Sequence, residues 1–117
     1  MLNRSKILIA EDEAITAVDL VYAVNDADGQ VLGPVARVSE GLGLIAREHI
    51  HAAILDVNLL DGEITPLAQA LLEKSVIVLF HTASDVPEAI SGHAGVCRKP
   101  MHPAEVVRTL AGYLNRR

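Results

Sequence analysis

A chain of 117 residues is long enough to bury one hydrophobic core and too short for two. Half of its residues are apolar but only 3% are aromatic, so the core must be built from branched aliphatics. That suits a close-packed α/β fold and excludes a nucleic-acid binder that works by stacking bases. A formal charge of −5 repels phosphate backbones and anionic lipid, so nucleic acid and membrane surface are not expected partners.

The chain opens with MLNRSKILIAEDE, in which a short apolar run meets acids at once, unlike a signal peptide. No apolar run approaches the roughly 20 residues needed to span a bilayer. The single cysteine, Cys97, leaves no internal disulfide framework and fits a reducing compartment, so the expected location is cytoplasmic.

Residues 6–10 (KILIA) read as a buried strand. Ala14, Ala17, Val18, Val21 and Val24 then recur at helical spacing. Gly29 ends that stripe, and residues 30–37 read as a second strand. Gly33-Pro34 inside it marks an edge or a bulge, because proline cannot donate to a ladder. A helix is expected from Ser39, with Leu42, Ile45, Ala46 and His49 on one face, although Gly41 and Gly43 weaken it. Residues 52–56 (AAILD) are a short buried strand, and residues 58–63 (NLLDGE) a turn-rich loop. Ile64, Leu67, Ala68 and Leu71 mark a third helix. Residues 75–80 (SVIVLF) are the clearest strand. Residues 81–93 have room for a short helix at most, and residues 94–98 (AGVCR) form a weak fifth strand. Pro103, Val106, Val107, Leu110, Ala111 and Leu114 form a C-terminal helical stripe. Strands alternating with helices predict one α/β domain over residues 1–117, a parallel sheet covered on both faces.

In such sheets ligands gather beyond the carboxyl ends of the strands. Those ends carry Glu11, Asp12 and Glu13 after the first strand and Asp56 after the third. His81 and Thr82 follow the fourth, and Arg98, Lys99 and Pro100 the fifth. Carboxylates converging on one edge demand a cation, and Mg²⁺ with its preference for oxygen ligands suits them. With Thr82 as a small donor and Lys99 as a mobile charge, this is equipment for placing a phosphoryl group on a carboxylate. Singly, each residue has a plainer reading. Glu11–Glu13 could cap a helix, Asp56 and Asp61-Gly62 could form turns, and Lys99 could be a solvated lysine. The five histidines (His49, His51, His81, His93, His102) show no paired ligand spacing beyond His49-x-His51, and a surface position is expected for His81. Cys97 reads as inert core, and Arg116-Arg117 as a frayed helix end.

Four motifs, ILIAEDE (7–13), ILDVNLLDG (54–62), VIVLFHTAS (76–84) and CRKPM (97–101), resemble those of response-regulator receiver domains, in family order over essentially the whole chain. The resemblance implies a flavodoxin-like, doubly wound, five-stranded parallel sheet of order 2-1-3-4-5. It implies Asp56 as phosphoryl acceptor, with Thr82 and Lys99 contacting phosphoryl oxygens. Mg²⁺ would be held by Glu11, Asp12, Asp56 and the backbone carbonyl of Asn58. A cis Lys99–Pro100 bond is implied, and Asn58 and Ser84 stand where the family tunes acyl-phosphate lifetime. The implied donor is a sensor histidine kinase or histidine phosphotransfer protein. The implied output is binding of a downstream protein, and receivers can also pair as homodimers. The resemblance implies a signalling module, not an enzyme in the ordinary sense.

Two departures stand out. Val96 occupies a position usually held by Tyr or Phe, and the stretch from Thr82 to Lys99 is shorter than usual. Together with Phe80-His81-Thr82-Ala83, the short stretch is similar to a divergent stand-alone group with a Phe-Ala-Thr-Gly signature and a shortened fourth helix. His81 and Ala83 replace that signature's Ala and Gly. The rivals are an unphosphorylated pseudo-receiver that binds protein, and a small aspartyl phosphatase-like enzyme. The latter would need an acid where Asn58 stands.

Overall fold

The computed structural model describes residues 1–90 and 92–116, so Ser91 and Arg117 lie outside it. Five strands form the main sheet: β1 (Lys6–Ala10), β2 (Gln30–Val35), β3 (Ala52–Leu55), β6 (Ile77–Thr82) and β7 (Gly95–Arg98). A small antiparallel hairpin, β4 (Asn58–Leu59) and β5 (Gly62–Glu63), stands apart from it. The helices are α1 (Ala14–Asp26), α2 (Val38–Arg47), α3 (Thr65–Glu73) and α4 (Pro103–Leu114). The sheet order β2-β1-β3-β6-β7 is the expected 2-1-3-4-5 once the hairpin is set aside, and every pairing in it is parallel.

Both sheet faces are covered, which is why the strands read as continuous apolar runs. Leu8, Ala10, Ala53, Leu55, Val78 and Phe80 face α2 and α3, where Leu67, Ala68 and Leu71 close the core. Ile7, Ile9, Ile54 and Leu79 face α1 and α4, where Leu20, Val24, Val106, Val107 and Leu110 complete a second core.

The outer helices turn differently from the sequence expectation. Along α1 the buried residues are Ala17, Leu20 and Val24, while Val18 is exposed. Along α2 they are Val38, Gly41 and Ile45, while Leu42 and Ala46 face outward, and His49 lies exposed beyond the end of the helix. A stripe of small apolar residues on both sides of a helix does not fix its rotation, and packing against the neighbouring helix does. Gly41 is part of that packing. A Cβ there would lie 2.6 Å from Cδ2 of the fully buried Leu67, so glycine lets α2 approach α3.

β2 is an edge strand, and its pairing with β1 slips between Leu8 and Ala10, opposite Gly33-Pro34. Gly33 has φ +94, and a Cβ would crowd the Val35 N–H and the Ile9 carbonyl. The Gly33–Pro34 bond is cis, as is Lys99–Pro100. The loop expected at 58–63 contains the β4–β5 hairpin, and the strand expected at 75–80 runs instead to Thr82. Between β6 and β7 no helix forms among the described residues, the limit of the expected shortening.

Local hydrogen bonds account for several polar residues. Asp61, at the tip of the hairpin, accepts from the Val38 and Ser39 N–H groups at 2.6 and 3.1 Å, capping α2 from far along the chain. Arg37, the residue before α2, provides no side-chain cap. His102 Nδ1 accepts from Ala104 N–H and caps α4, and His51 Nδ1 accepts from Lys6 N–H. The Arg116 guanidinium stacks over the Tyr113 ring. No helix among the described residues is long and apolar enough to cross a membrane.

Two outcomes test this packing. In α2, Gly43→Ala meets only the flexible end of Arg47 and should stabilise the fold by about 0.5–1 kcal/mol through helix propensity. Gly41→Ala should destabilise it by on the order of 1 kcal/mol, because crowding of Leu67 exceeds that gain. Denaturant titration of both variants reads the difference in sign. The N–H of Ser39, then that of Val38, holds Asp61 below its ordinary 3.8. Its contribution to stability is therefore present above that value and is lost as pH falls through the lower folded pKa. Asp61→Ala should lower the melting temperature at neutral pH, with the deficit shrinking below about pH 4.

Candidate functional site

Parallel register delivers the site. Ala10 pairs with Leu55, so Glu11 and Asp56 emerge side by side at the ends of neighbouring strands. The Asp56 N–H donates to the Ala10 carbonyl, and the Glu11 N–H to that of Val35, which holds the chain as it leaves the sheet. Thr82 pairs with Arg98, and the next N–H, from Lys99, donates to the Thr82 carbonyl at 3.1 Å. Consecutive strands thus present an acid, an acid, a hydroxyl and a lysine along one edge.

The lysine joins them. Lys99 Nζ lies 2.8 Å from Asp56 Oδ2 and 2.9 Å from Glu11 Oε1. Glu11 is almost wholly buried, Asp56 is partly buried and Asp12 is exposed. Carboxylate oxygens of Glu11, Asp12 and Asp56 lie within 4.8 Å of one another. Adjacent ligands of an octahedral Mg²⁺ lie about 3 Å apart, so the three carboxylates would have to close in to share one ion, or reach it in part through water. The donor set is all oxygen, as that hard cation requires.

The electrostatics follow from burial and partners. Burial pushes Glu11 up to about 7, against the pull of Lys99 and of the Glu13 N–H that its Oε2 accepts at 3.1 Å. That bond holds the residue before α1, and α1 itself carries no side-chain cap hydrogen bond, so Glu11 does not act as its cap. Burial acts in the same upward direction on Asp56. There, hydrogen bonds from Lys99 and Thr82, the lysine charge and the Val57 N–H outweigh it and hold the carboxyl below the usual range. Burial alone would lower Lys99, but its hydrogen bonds and charge contacts with Asp56 and Glu11 hold it above its ordinary value. Asp56 is therefore an ionised carboxylate with one oxygen on Lys99 and the other accepting from Val57 N–H at 2.7 Å.

Around this centre Thr82 is fully buried, and its hydroxyl accepts from the Ser84 N–H at 3.0 Å. Asn58 lies in β4, where its amide donates to the Ser84 hydroxyl at 3.1 Å, bridging the hairpin and the loop after β6. Arg98 reinforces that loop by donating to the Ser84 carbonyl at 2.7 Å and pairing with the exposed Asp85. Glu11, Asp56, Thr82 and Lys99 are thus brought together, with Asp12 at the rim and Asn58 one contact further out. Val96 sits on β7 with 36% of its surface exposed. Cys97 is buried, and burial raises its thiol.

One expectation is overturned. His81 is not on the surface: it is 4% exposed, and neither ring nitrogen has a hydrogen-bond partner. The signal was in the alternation. His81 continues the face of Ile77 and Leu79 toward α1 and α4, and only the polarity of the residue suggested a strand end at Phe80.

The chain matches no protein-family profile and no curated protein sequence. Its similarity to solved structures is extensive. It superposes on a CheY-like response-regulator receiver domain protein from Methanospirillum hungatei with TM-score 0.85 and 24% identity, covering 96% of this chain and 94% of that one. A response-regulator receiver protein from Sinorhizobium medicae gives TM-score 0.84 at 19% identity over 98% of each chain. The receiver domain of a sensor histidine kinase from Pseudomonas aeruginosa, solved with a magnesium ion coordinated in its active-site cleft, gives 0.81 at 18% identity over 95% and 98%. At these identities the likeness is one of architecture, and the chain has the flavodoxin-like fold of CheY-like response-regulator receiver domains.

Proposed function

We propose that this domain is a phosphoryl-accepting receiver of a two-component relay, taking the group on Asp56 from a phosphohistidine of a sensor kinase or histidine phosphotransfer protein. The observation that carries the reading is the Lys99 ammonium bridging Asp56 and Glu11 beside the buried Thr82 hydroxyl. Magnesium, held by Glu11, Asp12, Asp56 and the Asn58 carbonyl, would neutralise charge on the phosphoryl oxygens.

The chain's own residues supply position and charge. The lowered pKa of Asp56 keeps a carboxylate oxygen unprotonated and nucleophilic. That oxygen attacks phosphorus as the P–N bond to the donor imidazole breaks. A P–O bond forms, the electron pair leaves with the imidazole, and solvent supplies the proton it takes up. Lys99 and Thr82 meet the phosphoryl oxygens, where fixed donors contribute most in this chemistry. Two charged contacts of Lys99 and the hydrogen bonds of Thr82 must then rearrange, and that change is what a downstream protein would read. A chain that only binds protein is the competing reading, favoured by the exposed Val96 where an aromatic switch residue is usual.

Incubation with acetyl phosphate and Mg²⁺, followed by intact mass measurement, should show a gain of one phosphoryl group. Asp56→Ala and chelation of the metal should each abolish it, and Thr82→Ala and Lys99→Ala should slow it by roughly 10²-fold. No gain in the wild-type protein under any donor would leave the binding-only reading standing. Separately, Mg²⁺ at about ten times its dissociation constant should stabilise the fold by about 1.4 kcal/mol. Thermal melts should lose that increment in Asp12→Ala, and an equal increment in that variant would remove Asp12 from the metal site.

A further inference from the structure

Strand β6 ends at Thr82, and from there to β7 no helix forms among the described residues. Packing holds the later part of that segment, where Ile90 is buried and Val86 lies against the core. The part next to Thr82 is held by hydrogen bonds. Among the described residues 83–89, those that reach another element all meet at Ser84. The Ser84 N–H donates to the Thr82 hydroxyl at 3.0 Å, and the Ser84 hydroxyl accepts from the Asn58 amide at 3.1 Å. The Ser84 carbonyl accepts from the Arg98 guanidinium at 2.7 Å. Three polar groups of one residue thus tie together β6, the hairpin and β7.

Of the three ties, the one from Arg98 has a charged donor, which makes it the strongest. Register supplies it. Arg98 pairs with Thr82 across β6 and β7, so its side chain stands level with the start of the segment. Strand alternation sends Cys97 into the core and leaves Arg98 exposed beside the loop. Arg98 also faces Asp85 at 3.6 Å, but with side chains 56% and 100% exposed that pair contributes little. The carbonyl contact is therefore what places the Ser84 main chain. Two groups at the site depend on that placement. The Thr82 hydroxyl bonds to Asp56 while it accepts from the Ser84 N–H, and the Asn58 amide is aimed at the Ser84 hydroxyl.

We propose that Arg98 is a positioning residue that sets the lifetime of the phosphoryl group on Asp56, acting through Ser84. The proposal rests on the phosphoryl-acceptor reading. The group is lost when a water oxygen attacks phosphorus and the bond from phosphorus to the Asp56 oxygen breaks. The electron pair returns to the carboxylate, inorganic phosphate leaves, and the proton of the water passes to solvent. The Asn58–Ser84 pair closes one side of the site from hairpin to loop and restricts where that water can stand. Arg98 holds the Ser84 half of the pair. Without the guanidinium the loop loses its tie to β7, the pair opens, and water reaches phosphorus more often. Arg98 touches neither Asp56 nor the acids beside it, and Lys99 keeps its own contacts with Asp56 and Glu11.

The test labels wild-type and variant proteins with acetyl phosphate and Mg²⁺, removes the donor, and follows loss of the phosphoryl mass over time. Arg98→Ala should lose the group about threefold to tenfold faster, the range that one net hydrogen bond covers. The contact uses a single donor, so Arg98→Lys should restore most of the lifetime. Ser84→Ala keeps the carbonyl but lacks the hydroxyl that meets Asn58. Its lifetime should already be short, and adding Arg98→Ala to it should change the rate by less than about twofold. Asp85→Ala should stay within about twofold of wild type. In protein never exposed to a donor, Arg98→Ala should shift the NMR signals of the Asn58 side-chain amide and the Ser84 N–H. Equal lifetimes in wild type and Arg98→Ala, a lysine variant as labile as the alanine one, or an undiminished effect in Ser84→Ala would overturn the proposal. So would unmoved Asn58 and Ser84 signals. Labelling of the wild type reads the acceptor proposal and the signals of unlabelled protein read the Arg98 tie, so the failure of one is not mistaken for that of the other.

Discussion

A single ammonium group between two carboxylates organises the working edge of this domain. Glu11 and Asp56 leave adjacent parallel strands in register, and like charges so placed would repel if nothing stood between them. Lys99 stands there, within hydrogen-bond distance of both. That contact pulls both acids down, but it outweighs burial only at Asp56. Asp56 is kept ionised, while the more deeply buried Glu11 is pushed toward neutrality. Two acids one residue beyond paired strands thus acquire different character from their surroundings alone.

The sheet is what makes that contact dependable. A parallel ladder fixes which residues end level with one another, and helices on both faces prevent slippage, because a one-residue shift would move every core side chain onto the opposite packed face, into the wrong set of neighbours. The apolar runs of β1, β3 and β6 serve the site indirectly by holding its members in line. The hairpin after Asp56 has a comparable double duty. Asp61 at its tip caps α2, and Asn58 at its base reaches the loop after Thr82. Elements that would otherwise be independent loops are cross-linked around the carboxylates.

The histidines show how little composition says about role. His102 and His51 accept backbone hydrogen bonds and serve the fold. His93 packs its ring edge against Phe80 in the segment between β6 and β7. His81 is buried beside the site with no such duty, and its unsatisfied nitrogens make it the most informative of them. Polar groups left unpaired in an interior are uncommon enough to call for a partner.

Much was already legible in the residues. Alternating apolar runs and stripes determined the α/β class, and the run lengths determined strands against helices. The acids, the threonine and the lysine at successive strand ends pointed to one edge of the sheet, and the structure brings Glu11, Asp56, Thr82 and Lys99 together there. What the sequence left undecided was set by packing over distance. The rotation of α1 and α2 depended on which face met a neighbour, and Gly41 owed its place to Leu67 on another helix. The cap of α2 came from Asp61, far away in the chain. The strand end at Thr82 and the burial of His81 required the adjacent β7 to pair with β6. Local pattern reports the period of a segment. Only the folded chain reports which surface covers it, because burial is a property of two surfaces and a sequence window contains one.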